Sequence, residues 1–308
     1  MFGFAVLASN LNIAVPLLPD AAHYYVAQYN PYLLKFPDGW VLPGLKWYGL
    51  AYVGGFLIAT WLMWLYTRKG RLSLNADQRS NLMLALMFGV LLGGRIGYFI
   101  FYQILGEPER RAEFIAHPLM LFKIWTGGMS SHGGFIGVTI AAWWFARQNK
   151  FPFFRLADLA VTLAPPGLLL GRLANFVNGE LWGKATTVPW AMIFPIRDGD
   201  TIVGYTAPVH PSQLYEAATE GLLLTLYTQW RWWRSPPPGQ PGAIPPGQLA
   251  GEFLISYALV RVFCEMFREP DAALIMGLSR GTFYSLFMIL AGTGIIIWAK
   301  SKSKSLKV

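Results

Sequence analysis

The feature that most constrains this sequence is a series of apolar runs that approach 20 residues in length. A helix needs about 20 apolar residues to cross roughly 30 Å of hydrocarbon. Charged residues make up only 13% of the 308 residues, whereas a soluble domain usually carries about 25%. The mean hydropathy of +0.39 points the same way. The sequence therefore predicts a polytopic membrane protein and excludes a disordered chain.

The apolar runs predict an all-α integral membrane protein with seven transmembrane helices in one domain, residues 1–308. The predicted spans lie at about residues 43–66, 80–102, 119–146, 157–177, 212–230, 249–267 and 282–299. The third span is long and contains five glycines. Glycine weakens a helix interior, so we expect this span to be kinked or interrupted.

The distribution of Lys and Arg predicts how the chain is oriented. Thirteen of the 25 basic residues fall in the C-terminal tail and in alternate short loops, nine fall on the opposite side, and three lie inside apolar runs. Short cytoplasmic loops are enriched in Lys and Arg. We therefore expect the N-terminus outside and the C-terminus in the cytoplasm. The net charge of +9 reflects this bias, and we expect no nucleic-acid partner.

Three segments fall outside the predicted spans. Residues 178–211 are the longest insert and predict a small extracytoplasmic cap. Residues 1–18 are apolar but lack a basic region, which favours an extracytoplasmic N-terminal arm on the outer leaflet over a cleavable signal peptide. Residues 234–248 are rich in proline and predict a cytoplasmic loop that acts as a spacer.

Polar groups inside the apolar runs are the candidates for chemistry, because an ionisable residue at membrane depth costs at least about 2.5–3.5 kcal/mol. The first cluster is GRLANFVNGELWG, residues 171–183. Arg172 and Asn175 are three residues apart and share a helical face. Asn178 and Glu180 follow near the outer surface. A snorkelling arginine with a capping asparagine is the alternative, but it does not require this clustering of polar residues.

The second cluster is a stripe of four residues on one face of the sixth predicted span: Tyr257, Arg261, Glu265 and Arg268. A structural ion pair within the helix is the alternative, since Glu265 is one turn from both arginines. Two arginines against one carboxylate leave a net positive charge inside the membrane. We therefore expect an anionic ligand, and phosphate matches the planar fork of arginine.

The third cluster is MSSHGGFIG, residues 129–137, where His132 lies in a glycine-rich break. A lone membrane histidine is often a packing residue, but the glycines allow backbone to approach a ligand closely. Tyr48 opens the first span, where an aromatic belt is the alternative. His210, Gln213 and Glu216 open the fifth span in HPSQLYE, residues 210–216.

No metal site or cofactor is predicted. His132 and His210 lie on different spans, without cysteines or paired carboxylates at the spacing of metal ligands. The single cysteine, Cys264, excludes an intramolecular disulfide framework. We expect it to be a buried, inert thiol.

The clusters together resemble the prolipoprotein diacylglyceryl transferase family, whose signature is G-R-x-G/A-N-F-x-N-x-E-x-x-G. Five other stretches are similar to the family in the same order: KWYGLAY (46–52), LGGRIGY (92–98), GGMSSHGGFIG (127–137), HPSQLYE (210–216) and RVFCEMFREPD (261–271). The resemblance implies a seven-helix enzyme of the bacterial inner membrane with its active site toward the outer leaflet. It also implies functional importance for Tyr48, His132, Arg172, Asn175, Glu180, Gly183, Tyr257, Arg261 and Arg268.

The resemblance further implies the reaction. The diacylglyceryl group of phosphatidylglycerol would pass to the lipobox cysteine of a prolipoprotein signal peptide, and glycerol-1-phosphate would leave. Arg172 and Arg261 would then stabilise the phosphate, with Asn175 and Tyr257 as neutral donors. Arg268 would hold the head group or orient Glu265. His132 would act as general base, or the arginines would lower the pKa of the thiol while His132 orients the lipid.

Two other functions fit the polar clusters less well. A phospholipid hydrolase or head-group transferase would need a protein nucleophile or a carboxylate metal site, and the sequence has no G-x-S-x-G motif. A transporter for an anionic solute usually has repeated halves, and we find no internal repeat.

Overall fold

The computed structural model describes residues 23–37, 40, 43–123, 127–270 and 274–305. These residues are mostly helical. The α-helices are α1 (Trp47–Arg68), α2 (Ala76–Tyr98), α3 (Pro108–Ala116), α4 (Ser131–Gln148), α5 (Phe153–Asn178), α6 (Ser212–Glu216), α7 (Leu224–Arg234), α8 (Gln248–Glu265) and α9 (Arg280–Ser305). A π-helical segment, Phe99–Ile104, extends α2, and a second one, Ala217–Leu223, joins α6 to α7. The predicted arm at residues 1–18 lies outside the described residues.

Four helices in the described part of the chain are long and apolar enough to cross a membrane: Trp47–Arg68, Ala76–Ile104, Phe153–Asn178 and Arg280–Ser303. The helix of the third predicted span begins only at Ser131, later than the predicted start at residue 119. Gly127 and Gly128 have positive φ angles of 83° and 84°, which interrupt a helix, and the side chain of Ser130 caps α4. The predicted interruption of the third span therefore lies at these two glycines, just before α4 begins.

The described residues are mostly helical, as predicted, but outside the helices they also form three small two-stranded sheets, which the all-α prediction did not include. Parallel β1 (Tyr25–Val26) and β4 (Met192–Ile193) form one. Antiparallel pairs form the others: β2 (Tyr32–Lys35) with β3 (Gly44–Lys46), and β5 (Pro195–Asp198) with β6 (Thr201–Tyr205). Backbone groups that leave a helix still need partners, and these short ladders supply them. A small apolar core of Ala27, Phe194 and Val209 supports the insert.

The chain divides into two compact units. The described part of the first lies in Ser73–Leu156, and the second comprises Ile13–Leu72 and Ala157–Val308. In the first unit, α2 and α4 pack closely, because glycines 89, 93 and 97 on α2 face glycines 133 and 137 on α4. In the second unit, α8 and α9 approach similarly through Gly251 and Gly292.

Replacing Gly137 with valine is expected to destabilise the first unit by roughly 1–3 kcal/mol, the usual cost of overpacking. A Cβ at this position would overlap the carbonyl oxygen of Gly89 and lie 2.9 Å from the Cα of Gly93. Thermal unfolding in detergent measures the effect. Gly171→Val is the matched control, since a Cβ there meets nothing within 4 Å. Equal unfolding temperatures for the two variants would contradict the packing argument.

The proline-rich connection between α7 and α8 is fixed at both ends. At the end of α7, the Arg71 guanidinium donates to the carbonyls of Trp232, Trp233 and Ser235 at 2.6–2.7 Å. At the start of α8, the buried Asp158 carboxylate accepts the backbone N–H groups of Gly247 and Ala250 at 2.8 and 2.9 Å. A carboxylate suits a helix N-terminus, where N–H groups lack partners. Asp158 therefore has a structural role.

Candidate active site

The centre of the candidate site is Glu216 at the end of α6, which bridges three arginines. Its Oε1 lies 3.1 Å from Arg261 Nη1 and 2.8 Å from Arg268 Nη1, and its Oε2 lies 3.0 Å from Arg172 Nη1. The side chain of Glu216 is fully buried. One carboxylate thus draws together guanidinium groups from α5, from α8 and from the segment after α8.

Glu220, one turn later, completes this network. Its Oε2 accepts from Arg172 Nη2 at 2.9 Å and from Tyr257 Oη at 3.5 Å, and its Oε1 lies 3.2 Å from Arg261 Nη1. Glu220 lies in the π-helical segment Ala217–Leu223. Such segments are rare and occur frequently at functional sites. Arg261 also pairs with Glu265 on its own helix.

The expectation of a net positive charge at these arginines is wrong. The network contains Arg172, Arg261 and Arg268 against three carboxylates, so it is formally neutral. The reason is that Glu216 and Glu220 come from a different helix, and spacing within α8 reveals only Glu265. Neutrality removes the Coulombic need for a bound anion, although it leaves the arginines able to bind one.

Two arginines of this network remain accessible. Arg172 and Arg261 keep 17% and 15% of their side chains exposed, whereas Glu216 and Glu220 are 0% exposed. A guanidinium has five N–H donors, and the carboxylates occupy only part of those of Arg172. The carboxylates therefore hold the arginines from the protein side, while part of each guanidinium can receive a ligand.

A second polar group follows the end of α5, around Glu180. Its Oε1 accepts from Asn175 Nδ2 at 2.8 Å and from Asn178 Nδ2 at 3.1 Å. The buried Gln213 donates from Nε2 to the backbone carbonyl of Glu180 at 2.7 Å. The adjacent Ser212 hydroxyl donates to the carbonyl of Leu181 at 2.9 Å. The residues of HPSQLYE thus anchor the loop that carries Glu180.

Gly183 lies where three backbone segments meet. Its N–H donates to the carbonyl of His210 at 2.9 Å, and its backbone forms a β-bridge with Arg268. A Cβ at Gly183 would overlap the carbonyl of Phe267, so only glycine fits. His210 Nδ1 lies 3.1 Å from the hydroxyl of Tyr215, and burial together with Lys184 lowers the pKa of His210 below its ordinary value. The lowered pKa favours the neutral form of this imidazole.

The remaining predicted residues occupy two places. Tyr48 is the second residue of α1, packs against Tyr52 with ring centroids 5.3 Å apart, and lies near Glu180 and Arg172. His132 lies in the first unit, in the first turn of α4, and is exposed. The structure thus places the predicted residues of the second unit in the arginine network or near it, and it places His132 in the other unit.

Comparison with known proteins identifies the family. The sequence model described as prolipoprotein diacylglyceryl transferase matches residues 40–298. The chain belongs to the prolipoprotein diacylglyceryl transferase family. It is 43% identical to the phosphatidylglycerol–prolipoprotein diacylglyceryl transferase of Pseudoalteromonas atlantica, over 84% of this chain and 87% of that protein. It is 45% and 41% identical to the proteins of that name from Vibrio vulnificus and Zymomonas mobilis, over 83% and 86% of this chain and 87% of each relative.

Family membership makes this chain a membrane transferase, and the structure adds residues that the sequence analysis missed. Glu220 was not identified, and Glu216 was seen only as part of HPSQLYE. Both are ionisable residues inside an apolar run, the signal that identified Arg172. Gly281 in the first turn of α9 was also missed. A Cβ there would overlap the carboxylate of Glu265, so Gly281 provides the space for the Arg261–Glu265 pair.

Proposed function

We propose that this chain transfers the sn-1,2-diacylglyceryl group of phosphatidylglycerol to the lipobox cysteine of prolipoproteins. The observation that carries the proposal is the identity of 41–45% to relatives named for these two substrates. The reaction forms a bond between the cysteine sulfur and the glycerol carbon that carried the phosphate. The C–O bond to phosphate breaks, the thiol proton passes to a base, and glycerol-1-phosphate leaves.

The arginine network suits the leaving group of this reaction. Negative charge builds up on phosphate oxygen as the C–O bond breaks, and fixed donors in a low-dielectric site stabilise such charge. We assign this role to Arg172 and Arg261, which are held by buried carboxylates and remain partly exposed. Arg268, only 7% exposed, then acts mainly by holding Glu216 in place.

The neutral polar residues complete the lipid site in this proposal. Tyr257 donates to Glu220 at the edge of the network, next to both arginines. Asn175 and Glu180 form a hydrogen-bonded pair that interacts with Tyr48 at one side. We assign this group to binding the glycerol head group of the lipid. Gly183 and His210 shape the loops around it, and Glu265 holds Arg261 from the same helix.

The proposed setting is the bacterial cytoplasmic (inner) membrane. The seven spans are α1, α2, α4, α5, the helix from α6 to α7, α8 and α9, in a single membrane domain. The bias of Lys and Arg toward alternate short loops supports an outer N-terminus and a cytoplasmic C-terminus. The arginine network then lies toward the outer leaflet, beside the cap at residues 178–211. The cap and the loop at residues 234–248 lie on opposite sides of the membrane.

The test of the function is a mass assay. The purified protein in liposomes that contain phosphatidylglycerol receives a peptide with a lipobox cysteine. We expect the peptide to gain one diacylglyceryl group on the cysteine, with release of an equal amount of glycerol phosphate. A matched peptide with serine in place of the cysteine is the control. Release of glycerol phosphate without any gain of mass by the peptide would support a phospholipid hydrolase instead.

His132→Gln is expected to lower the rate of this reaction about 100-fold, at the lower end of what a general base contributes. The thiol reacts as the thiolate, and its unperturbed pKa is about 8.5, so a base near neutral pH speeds the reaction. The mass assay between pH 6 and pH 9 measures the effect, and we expect the variant to recover at high pH. A small loss with an unchanged pH profile would mean that His132 only orients the lipid.

A further inference from the structure

Arg95 on α2 is a buried charge that the proposed mechanism does not use. The residue is only 4% exposed. Nε donates to the carbonyl of Leu121 at 2.9 Å, Nη1 donates to those of Gly127 and Gly128, and Nη2 donates to those of Met120 and Lys123. The ring of Phe99 lies 4.8 Å from the guanidinium carbon. All five N–H donors of the guanidinium are therefore matched by backbone carbonyls of the first unit.

This arrangement differs from that of the arginines in the network. Arg172 and Arg261 pair with carboxylates and keep part of their surface accessible. Arg95 instead donates every N–H to a carbonyl, so it has no donor left for a phosphate. The carbonyls that accept from Arg95 belong to two stretches of chain that precede α4, residues 120–123 and residues 127–128. The geometry indicates that Arg95 holds backbone in place rather than binding a lipid anion.

The segment that Arg95 holds leads directly to His132. Gly128 is followed by two residues before α4 begins at Ser131. The N–H of Ser130 donates to the carbonyl of Gly94 at 2.9 Å, and the Ser130 side chain accepts from the N–H of Gly133 at 3.2 Å. Two consecutive residues of α2, Gly94 and Arg95, therefore fix the start of α4. His132 lies in that first turn.

We infer that Arg95 is a positioning residue for His132, acting through the backbone before α4. The inference rests on the proposed role of His132 in proton transfer. Lysine cannot replace Arg95, because an ammonium has three donors on one point whereas the guanidinium presents five in a planar fork. A displacement of the reacting group by about 1 Å can cost on the order of 100-fold in rate.

The experiment is a double-mutant cycle with Arg95→Lys and His132→Gln in the mass assay. Arg95→Lys is expected to lower kcat about 30-fold, while the KM values for phosphatidylglycerol and for the peptide change less than about threefold. When Arg95→Lys is added to His132→Gln, kcat is expected to fall by less than about threefold further, because the histidine that Arg95 positions is already gone. A second variant, Ser130→Ala, removes the side-chain cap of α4. It is expected to lower kcat less than Arg95→Lys does, and again to have little further effect when His132→Gln is present.

Arg71→Lys is the matched control, since Arg71 also donates to three backbone carbonyls, in the second unit. It is expected to lower the unfolding temperature and to leave kcat per folded enzyme unchanged. Equal losses from Arg95→Lys in the wild-type and His132→Gln backgrounds would overturn the inference, as would full activity of folded Arg95→Lys. Full activity of His132→Gln would instead overturn the assignment of the base, and the inference would fall with it.

Discussion

Replacing Arg172 and Glu220 together by glutamine is expected to lower the lipidation rate about 1000-fold while the protein still folds and inserts. Arg172 contacts Glu216 and Glu220 and keeps part of its guanidinium exposed. In the proposed mechanism, this exposed part stabilises the charge on the leaving phosphate. Removal of one preorganised donor from such a site typically costs about 100- to 1000-fold, and Arg172 presents a planar fork that supplies two.

The double substitution is preferable to Arg172→Ala because the network is formally neutral. Loss of Arg172 alone leaves three carboxylates against two arginines, and an uncompensated buried charge is strongly destabilising. Arg172→Ala is therefore expected to abolish lipidation, but part of that loss would come from the unpaired Glu220. Removing one charge of each sign keeps the balance and leaves the loss of phosphate stabilisation as the main effect.

The chain offers a matched control in a second ion pair. Arg231 and Glu252 form a bidentate pair at 2.6 and 2.7 Å that belongs to the structural contacts of α7 and α8. Arg231→Gln with Glu252→Gln makes the same exchange of charged groups and is expected to retain activity within about threefold. The mass assay, together with KM for phosphatidylglycerol, compares the two double variants. A rate above one tenth of the wild type for Arg172→Gln with Glu220→Gln would contradict the phosphate assignment.

The sequence predicted which arginines belong to this site, but it did not predict which carboxylates pair with them. Arg172 and Arg261 stand out because an ionisable residue in an apolar run is costly. Their partners lie 44–48 and 41–45 positions away on another helix. Periodicity shows which residues share a face of one helix, but it does not show which faces of different helices meet. The charge balance of the network was therefore missed.

The small sheets were unpredictable for a related reason. The paired strands Tyr25–Val26 and Met192–Ile193 have two residues each, which is too short to show the alternation by which a strand is identified. Their pairing depends on contacts over more than 160 residues of sequence. By contrast, the break before α4 was predictable, since Gly127 and Gly128 adopt positive φ angles that glycine tolerates best.

Glu216→Gln is the substitution with the second large expected effect. It is expected to lower the stability of the protein and to slow release of the product. The substitution removes the carboxylate that joins Arg172, Arg261 and Arg268 at 2.8–3.1 Å. Breaking a buried ion pair by removing one partner typically costs about 3–5 kcal/mol. We expect a marked fall in the unfolding temperature in detergent. Glu252→Gln is the matched control, because it makes the same isosteric change in a pair that is more exposed.

The same variant also tests whether neutrality matters for turnover. With Glu216 replaced, the network carries three arginines against two carboxylates, so a phosphate anion compensates the excess charge. Glycerol phosphate is then expected to inhibit the folded fraction more strongly, with an inhibition constant about tenfold lower, or ~1.4 kcal/mol. The carboxylates would thus keep the arginines ready for the substrate phosphate while preventing them from retaining the product. An unchanged inhibition constant in folded Glu216→Gln would mean that Glu216 only holds the helices together, and that product release depends on other residues.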